Sequence, residues 1–304
     1  MDTYFPLDIS LWLPLEILEN CDLLTIEQEL ELKADVAATM DMVSEESLDS
    51  TELELFNRQR LRAANALGST DLGEDAFRAL DEAGSTAGYY FRARQIAPER
   101  PEMRSRLSES DLRRAENAAG YLLQHRDRVA DDPRCTRLLL NCFWAWKTGN
   151  WLFDGLNQPL PSIEEDRIRA LEILLDLAHA SRDEFQPRLR YLRAVLKWLI
   201  GSEHEALVDF RQLARDTEYV EAKRVLPRHV ISDDQGNTVT FSGVVERKIG
   251  EQRWAIKVRE LGRSVDLVAG RWHDDVDVGK ELRAFSIAFN YIGPIASRPN
   301  LASS

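Results

Sequence analysis

The sequence predicts a multidomain α + all-β chain: a long, irregular α-helical repeat region followed by a small five-stranded antiparallel barrel. Three observations carry this. Up to about residue 230, apolar residues recur at the three- and four-residue spacing of helices. From about Thr238 the period drops to two, as in half-buried strands. Between them the polar, turn-rich stretch Pro227–Gly236 places the boundary. The expected domains are residues 1–230, with an acidic helical cap over 1–60, and residues 237–298.

Each element follows from its local pattern. In Asp71–Glu82, Ala76 and Leu80 recur at helical spacing, and Ala83 continues the series. Ser108-Glu109-Ser110-Asp111 supplies capping side chains, and Ala115, Ala119, Leu122 and Leu123 follow on one face. Ile168, Leu171, Leu174, Leu175 and Ala178 mark a third helix. Leu189–Ile200 and His204–Ala214 form a pair divided by Gly201-Ser202, a helix end followed by a cap. Strands are expected from Thr238 to Val245, from Trp254 and from Leu282 to Phe289. Turns fall at Asp233–Asn237, Ile249–Glu251, Leu261-Gly262 and Val278–Lys280.

Charge is unevenly spread. The net charge is −13, and residues 1–60 hold fifteen acids against three bases. Such a block argues against nucleic-acid binding by the N-terminal region. Residues 236–304 hold ten bases against eight acids and escape that argument. No apolar run reaches the length of a membrane-spanning helix, and Met1-Asp2-Thr3-Tyr4 lacks the basic start of a secretory signal. Cys21, Cys135 and Cys142 form no even framework, so a cytoplasmic protein is expected.

Small residues recur as if in tandem helical hairpins. Ala194 precedes Ala206 by twelve positions, with Phe210 four later; Ala64 precedes Ala76 by twelve, with Leu80 four later. Ala76, Ala115, Ala170 and Ala206 repeat at a looser interval, broken by the Pro/Gly-bearing stretch from Asp154 to Ile163. This pattern resembles the tetratricopeptide repeat family, and the alternative is an unrelated helical bundle. The resemblance implies a scaffold whose concave groove binds a protein partner. Arg190, Arg193 and Lys197 fall on one helix face and are candidates to line it, against the alternative of a solvated face. In the aromatic run from Phe143, Trp144 and Trp151 lie seven apart and share a face if the helix continues. They read either as a partner anchor or as a buried helix.

The C-terminal segment carries a more specific likeness. Phe241-Ser242-Gly243-Val244-Val245, Gln252–Ile256, Ser264–Val268, Asp277–Glu281 and Gly293-Pro294-Ile295-Ala296 follow in an order and spacing that resemble a cold-shock domain. The resemblance implies an OB barrel that stacks bases of single-stranded RNA or DNA on outward aromatics. Most of those aromatics are replaced here: Arg247 and Lys248 end the first strand, and Asp266, Val268 and Ala269 occupy the second motif. Trp254 remains, with Arg247, Lys248 and Lys257 as candidates for phosphates. Strand alternation puts Trp254, Ile256 and Val258 on one face and Lys257 on the other. The competing reading is a barrel kept for packing or for a protein partner.

Catalytic signatures are absent. There is no G-x-x-x-x-G-K-[ST], G-x-G-x-x-G, H-E-x-x-H or G-x-S-x-G. The histidines are isolated. His273-Asp274-Asp275 and Asp233–Asn237 read as polar turns rather than metal sites. No cofactor or metal is expected. The sequence therefore points to a non-catalytic adaptor, or alternatively to a regulatory or structural subunit with no nucleic-acid contact.

Overall fold

The computed structural model describes residues 7–20, 24–98, 107–152, 156–180, 187–217, 226–268 and 276–297. These form a helical region followed by a mixed sheet, in two compact units: residues 1–98 with 117–138, and residues 99–116 with 139–304.

The first unit contains α1 (Leu7–Asn20), α2 (Ile26–Asp41), α3 (Ser50–Leu67), α4 (Thr70–Glu82), α5 (Ala87–Ile96), the second half of α6 (Glu109–Gln124), α7 (Arg126–Val129) and the start of α8 (Pro133–Thr148). Local chemistry sets the helix ends. Thr25 and Gln28 form a reciprocal capping box on α2, as Asp49 and Glu52 do on α3. Gly68 closes α3 in the left-handed conformation that glycine adopts without a Cβ penalty. Leu11, Leu15, Val36, Phe56 and Ala63 form one core; Leu61, Ala76, Leu80 and Ala87 form a second. Small residues bring α3 and α4 close: a Cβ on Gly73 would lie 3.3 Å from that of Ala64.

The second unit joins the rest of α6 and α8 to α9 (Glu165–Ala180), α10 (Pro187–Leu199), α11 (Glu203–Asp216) and seven strands. The strands are β1 (Gln158–Pro161), β2 (His229–Ser232), β3 (Phe241–Gly250), β4 (Arg253–Val258), β5 (Ser264–Val268), β6 (Glu281–Asn290) and β7 (Gly293–Ser297). β3, β4 and β5 form an antiparallel meander, and β6 pairs antiparallel with both β3 and β7. A parallel contact of Asp266 with Ile295 joins β5 to β7, so these five strands return to their start. β2 then adds to β6, and β1 adds to β2 in parallel.

The expected five-stranded antiparallel arrangement is thus corrected to a seven-stranded mixed sheet. Its two extra strands have four residues each, too short to show a period; β1 carries two prolines, and β2 lies within the stretch expected to be the domain boundary. The alternation expected in β6 also fails, because Phe285 to Asn290 are buried without a break. Both faces of that half-strand are covered: Trp198 of α10 meets Phe289 edge-on, with ring centres 5.2 Å apart. Phe210 of α11 lies against Gly293, where β7 begins. Arg263 fastens the end of α10, donating to the carbonyls of Trp198 and Leu199 at 2.5 and 3.0 Å.

Candidate nucleic-acid interface

Residues directly opposite in an antiparallel pair share a face, so the register of β3, β4 and β5 maps the candidate surface. Val245, Ile256 and Val265 form one row, all buried, and define the core face. Trp254 lies on the same side of β4, between Lys248 and Leu267, but at the strand's start, where it is half-buried. The Lys248 ammonium stands 5.6 Å from the centre of the Trp254 ring.

The opposite face carries different rows. Arg247, Ala255 and Asp266 form one; Val244, Lys257 and Ser264 form the next. A register shift between Val245 and Arg247 turns the Arg247 side chain to this face. Arg247 and Lys257 are exposed and make no ion pair among the described residues. Arg253 lies on the same face and pairs with Asp266. The structure therefore joins Trp254 to Lys248 and sets Arg247 and Lys257 on the other side of the strands.

Each candidate groove cation has an acidic neighbour. Arg190 pairs with Asp216 at 2.7 Å, and Arg193 with Asp176 at 2.7 Å. Lys197 lies 3.1 Å from Asp209 and 3.4 Å from Glu205. These three cations on α10 tie α9 and α11 to it and do not form a bare basic stripe. Trp144 is fully buried, which answers to the buried-helix reading. It does not share a helix face with Trp151, because α8 ends at Thr148: Gly149 takes a left-handed turn, and the Thr148 hydroxyl donates to the Trp144 carbonyl. Trp151 is half-buried beyond that end.

Two polar constellations escaped sequence reading. In the first unit the Tyr89 hydroxyl donates to Asp81 and accepts from Arg128 at 2.7 Å, while His125 packs on Tyr89 and Tyr121. The Tyr89 hydrogen bond, against a smaller burial effect, holds Asp81 below its usual carboxylate range; burial raises Tyr89. An acid kept ionised and a phenol kept protonated fit a structural clasp rather than a proton shuttle. In the second unit the Tyr191 hydroxyl lies 2.9 Å from His229 Nδ1 and 3.3 Å from the Phe289 carbonyl. Burial, then the charge of Arg228, lowers His229 to about 4, so its imidazole is neutral. Partners 38 and 98 positions apart leave no local signal.

Two cavities of about 290 Å³ lie elsewhere. One, among α3, α4 and α5, holds the ion pair Arg92–Glu74. The other, beside β1 and β2, is lined by hydroxyls of Ser232, Thr238 and Ser286 and by no charged residue. Neither pairs a nucleophile with a base. Among the described residues no group of three His, Cys, Asp or Glu side chains could hold a metal ion. Asp233 is used by its own turn, accepting from the Gln235 and Asn237 amides, and His273 to Asp275 lie outside the described residues. No described helix is long and apolar enough to cross a membrane. No family model matches the chain, and no curated protein matches it either.

Proposed function

We propose that the chain is a non-catalytic adaptor that binds single-stranded nucleic acid on its sheet and a protein partner on its helical region. The reading takes the five-strand ring as a small cold-shock-like OB barrel, and the pairing that returns β7 and β6 to β3 supports it. The helical region is read as an irregular tetratricopeptide-like array. Close pairing at Gly73 and Ala64, and burial of Ala194, Ala206 and Phe210, support that part.

The observation that carries the nucleic-acid reading is the half-buried Trp254 ring with Lys248 on it, with the exposed cations Arg247 and Lys257, unpaired among the described residues, on the other face of the same strands. An indole offers a stacking platform for any base, worth about 1–3 kcal/mol per base. The cations supply the phosphate attraction, which depends on salt. Two modest surfaces on one chain gain through effective concentration.

The test is binding of labelled single-stranded RNA and DNA to the full chain between 50 and 200 mM salt. Three phosphate contacts predict a logarithmic salt slope near about −2, or roughly a 15-fold loss of affinity over that range. A regulatory or structural subunit is the second reading, favoured by Trp254 lying on the core side of β4. No binding at micromolar protein would favour it.

A further inference from the structure

Helix α2 presents two unusual ridges side by side. Ile26, Leu30, Ala34 and Ala38 follow at intervals of four and Met42 caps the end; all five are exposed. Ile26, Leu30 and Met42 are 78%, 61% and 77% exposed, among the highest of the large apolar side chains. Beside that row run Glu27, Glu31 and Asp35, also exposed and without ion pairs among the described residues. Like charges four apart destabilise a helix by a few tenths of a kcal/mol each. Here they persist in a helix already fixed by its Thr25–Gln28 capping box, while Val36 packs it into the first unit's core.

We infer that this face docks a basic amphipathic helix of a partner protein, which names the partner left open above and rests on the reading of the helical region as a docking scaffold. Rows spaced by four are the ridges that interlock when helices pack. The small Ala34 and Ala38 let a partner helix approach closely, and Ile26, Leu30 and Met42 grip it at the ends. Lysines or arginines beside the partner's apolar stripe then meet Glu27, Glu31 and Asp35. A second copy of the chain would set these carboxylates against its own, and an anionic membrane would repel them.

The probe is a fluorescent helical peptide of about 18 residues built from leucine and lysine on opposite faces, titrated against the full chain. A scrambled peptide of the same composition and a leucine/glutamate version serve as controls. The leucine/lysine helix is expected to bind at least about tenfold tighter than either control. The exposed double variants Ile26→Ser/Leu30→Ser and Glu27→Lys/Glu31→Lys should each weaken it by about tenfold or more. Both variants should keep wild-type circular dichroism and any oligonucleotide affinity of the sheet. No binding, equal binding of the scrambled peptide, or binding unchanged in either variant would overturn the inference. Loss of oligonucleotide binding with peptide binding intact would count against the sheet alone.

Discussion

Lys248 and Trp254 face each other across the β3–β4 pair, with the lysine ammonium 5.6 Å from the ring centre. The contact places a positive charge against one side of the indole. Replacing Lys248 by Ala is expected to reduce the salt slope of oligonucleotide binding by about 0.7, one phosphate's share on a single strand. Titrations at several salt concentrations read that change directly.

Asp266 is one acid on the cationic face, where Glu246 also accepts from Ser264, and it pairs with Arg253. Asp266→Asn should free that guanidinium and remove a repelling charge. Affinity for single strands is expected to rise, with the salt slope steeper by about 0.7. Parallel titrations of wild type and variant check it. Little stability should be lost, because an exposed ion pair contributes only about 0–1 kcal/mol.

Gly243 admits no side chain. A Cβ there would lie 2.5 Å from the Lys257 carbonyl oxygen and 2.7 Å from Ile256 Cγ2. Backbone of the paired strand cannot move aside cheaply, so Gly243→Ala is expected to cost about 1–3 kcal/mol, as overpacking does. Urea unfolding should show a lower midpoint.

His229 predicts an acid-sensitive fold. Its folded value is about 4 against an ordinary 6.5, so the unfolded chain takes up the proton first as pH falls. Stability is therefore complete above about pH 6.5, declines toward pH 4 by at most about 1.4 kcal/mol per unit, and levels off below. His229→Gln should flatten that window while lowering stability at neutral pH, since it disturbs the contact with Tyr191. Asp132 acts lower. Its burial is outweighed by hydrogen bonds from Arg134 and Thr86, which hold it at about 2. It contributes stability above about pH 3.8 that is lost as pH falls through 2. Urea midpoints at pH 7, 5, 4 and 2 separate the two, the first three reading His229 and the last step Asp132.

Long periodic segments were legible in the sequence. The apolar series of α9 and α10, and the strands β3, β4 and β6, stand where period and turn residues place them, while the segments of β5 and β7 stood out only through the cold-shock likeness. What escaped lacked a local signal. β1 and β2 are too short, and β6 loses its alternation because Trp198 and its neighbours cover the second face. Arg190, Arg193 and Lys197 looked like one basic face because their acids lie on two other helices. At the site, alternation separated Trp254 from Lys257; the bulge that puts Lys248 rather than Arg247 on the Trp254 side came from pairing geometry alone. The apolar ridge of α2 is written in the sequence, but its exposure depends on which face α1 and α3 cover.

The most direct test compares the affinity of a labelled single-stranded 12-mer, about one OB-fold site long, for wild type and for Trp254→Ala. Circular dichroism and urea unfolding establish that both are folded. Nucleic-acid binding by the sheet predicts that the variant loses about 1–3 kcal/mol, some 5- to 150-fold, with its salt slope unchanged. Equal affinity in the two proteins, or no binding by either, would contradict it.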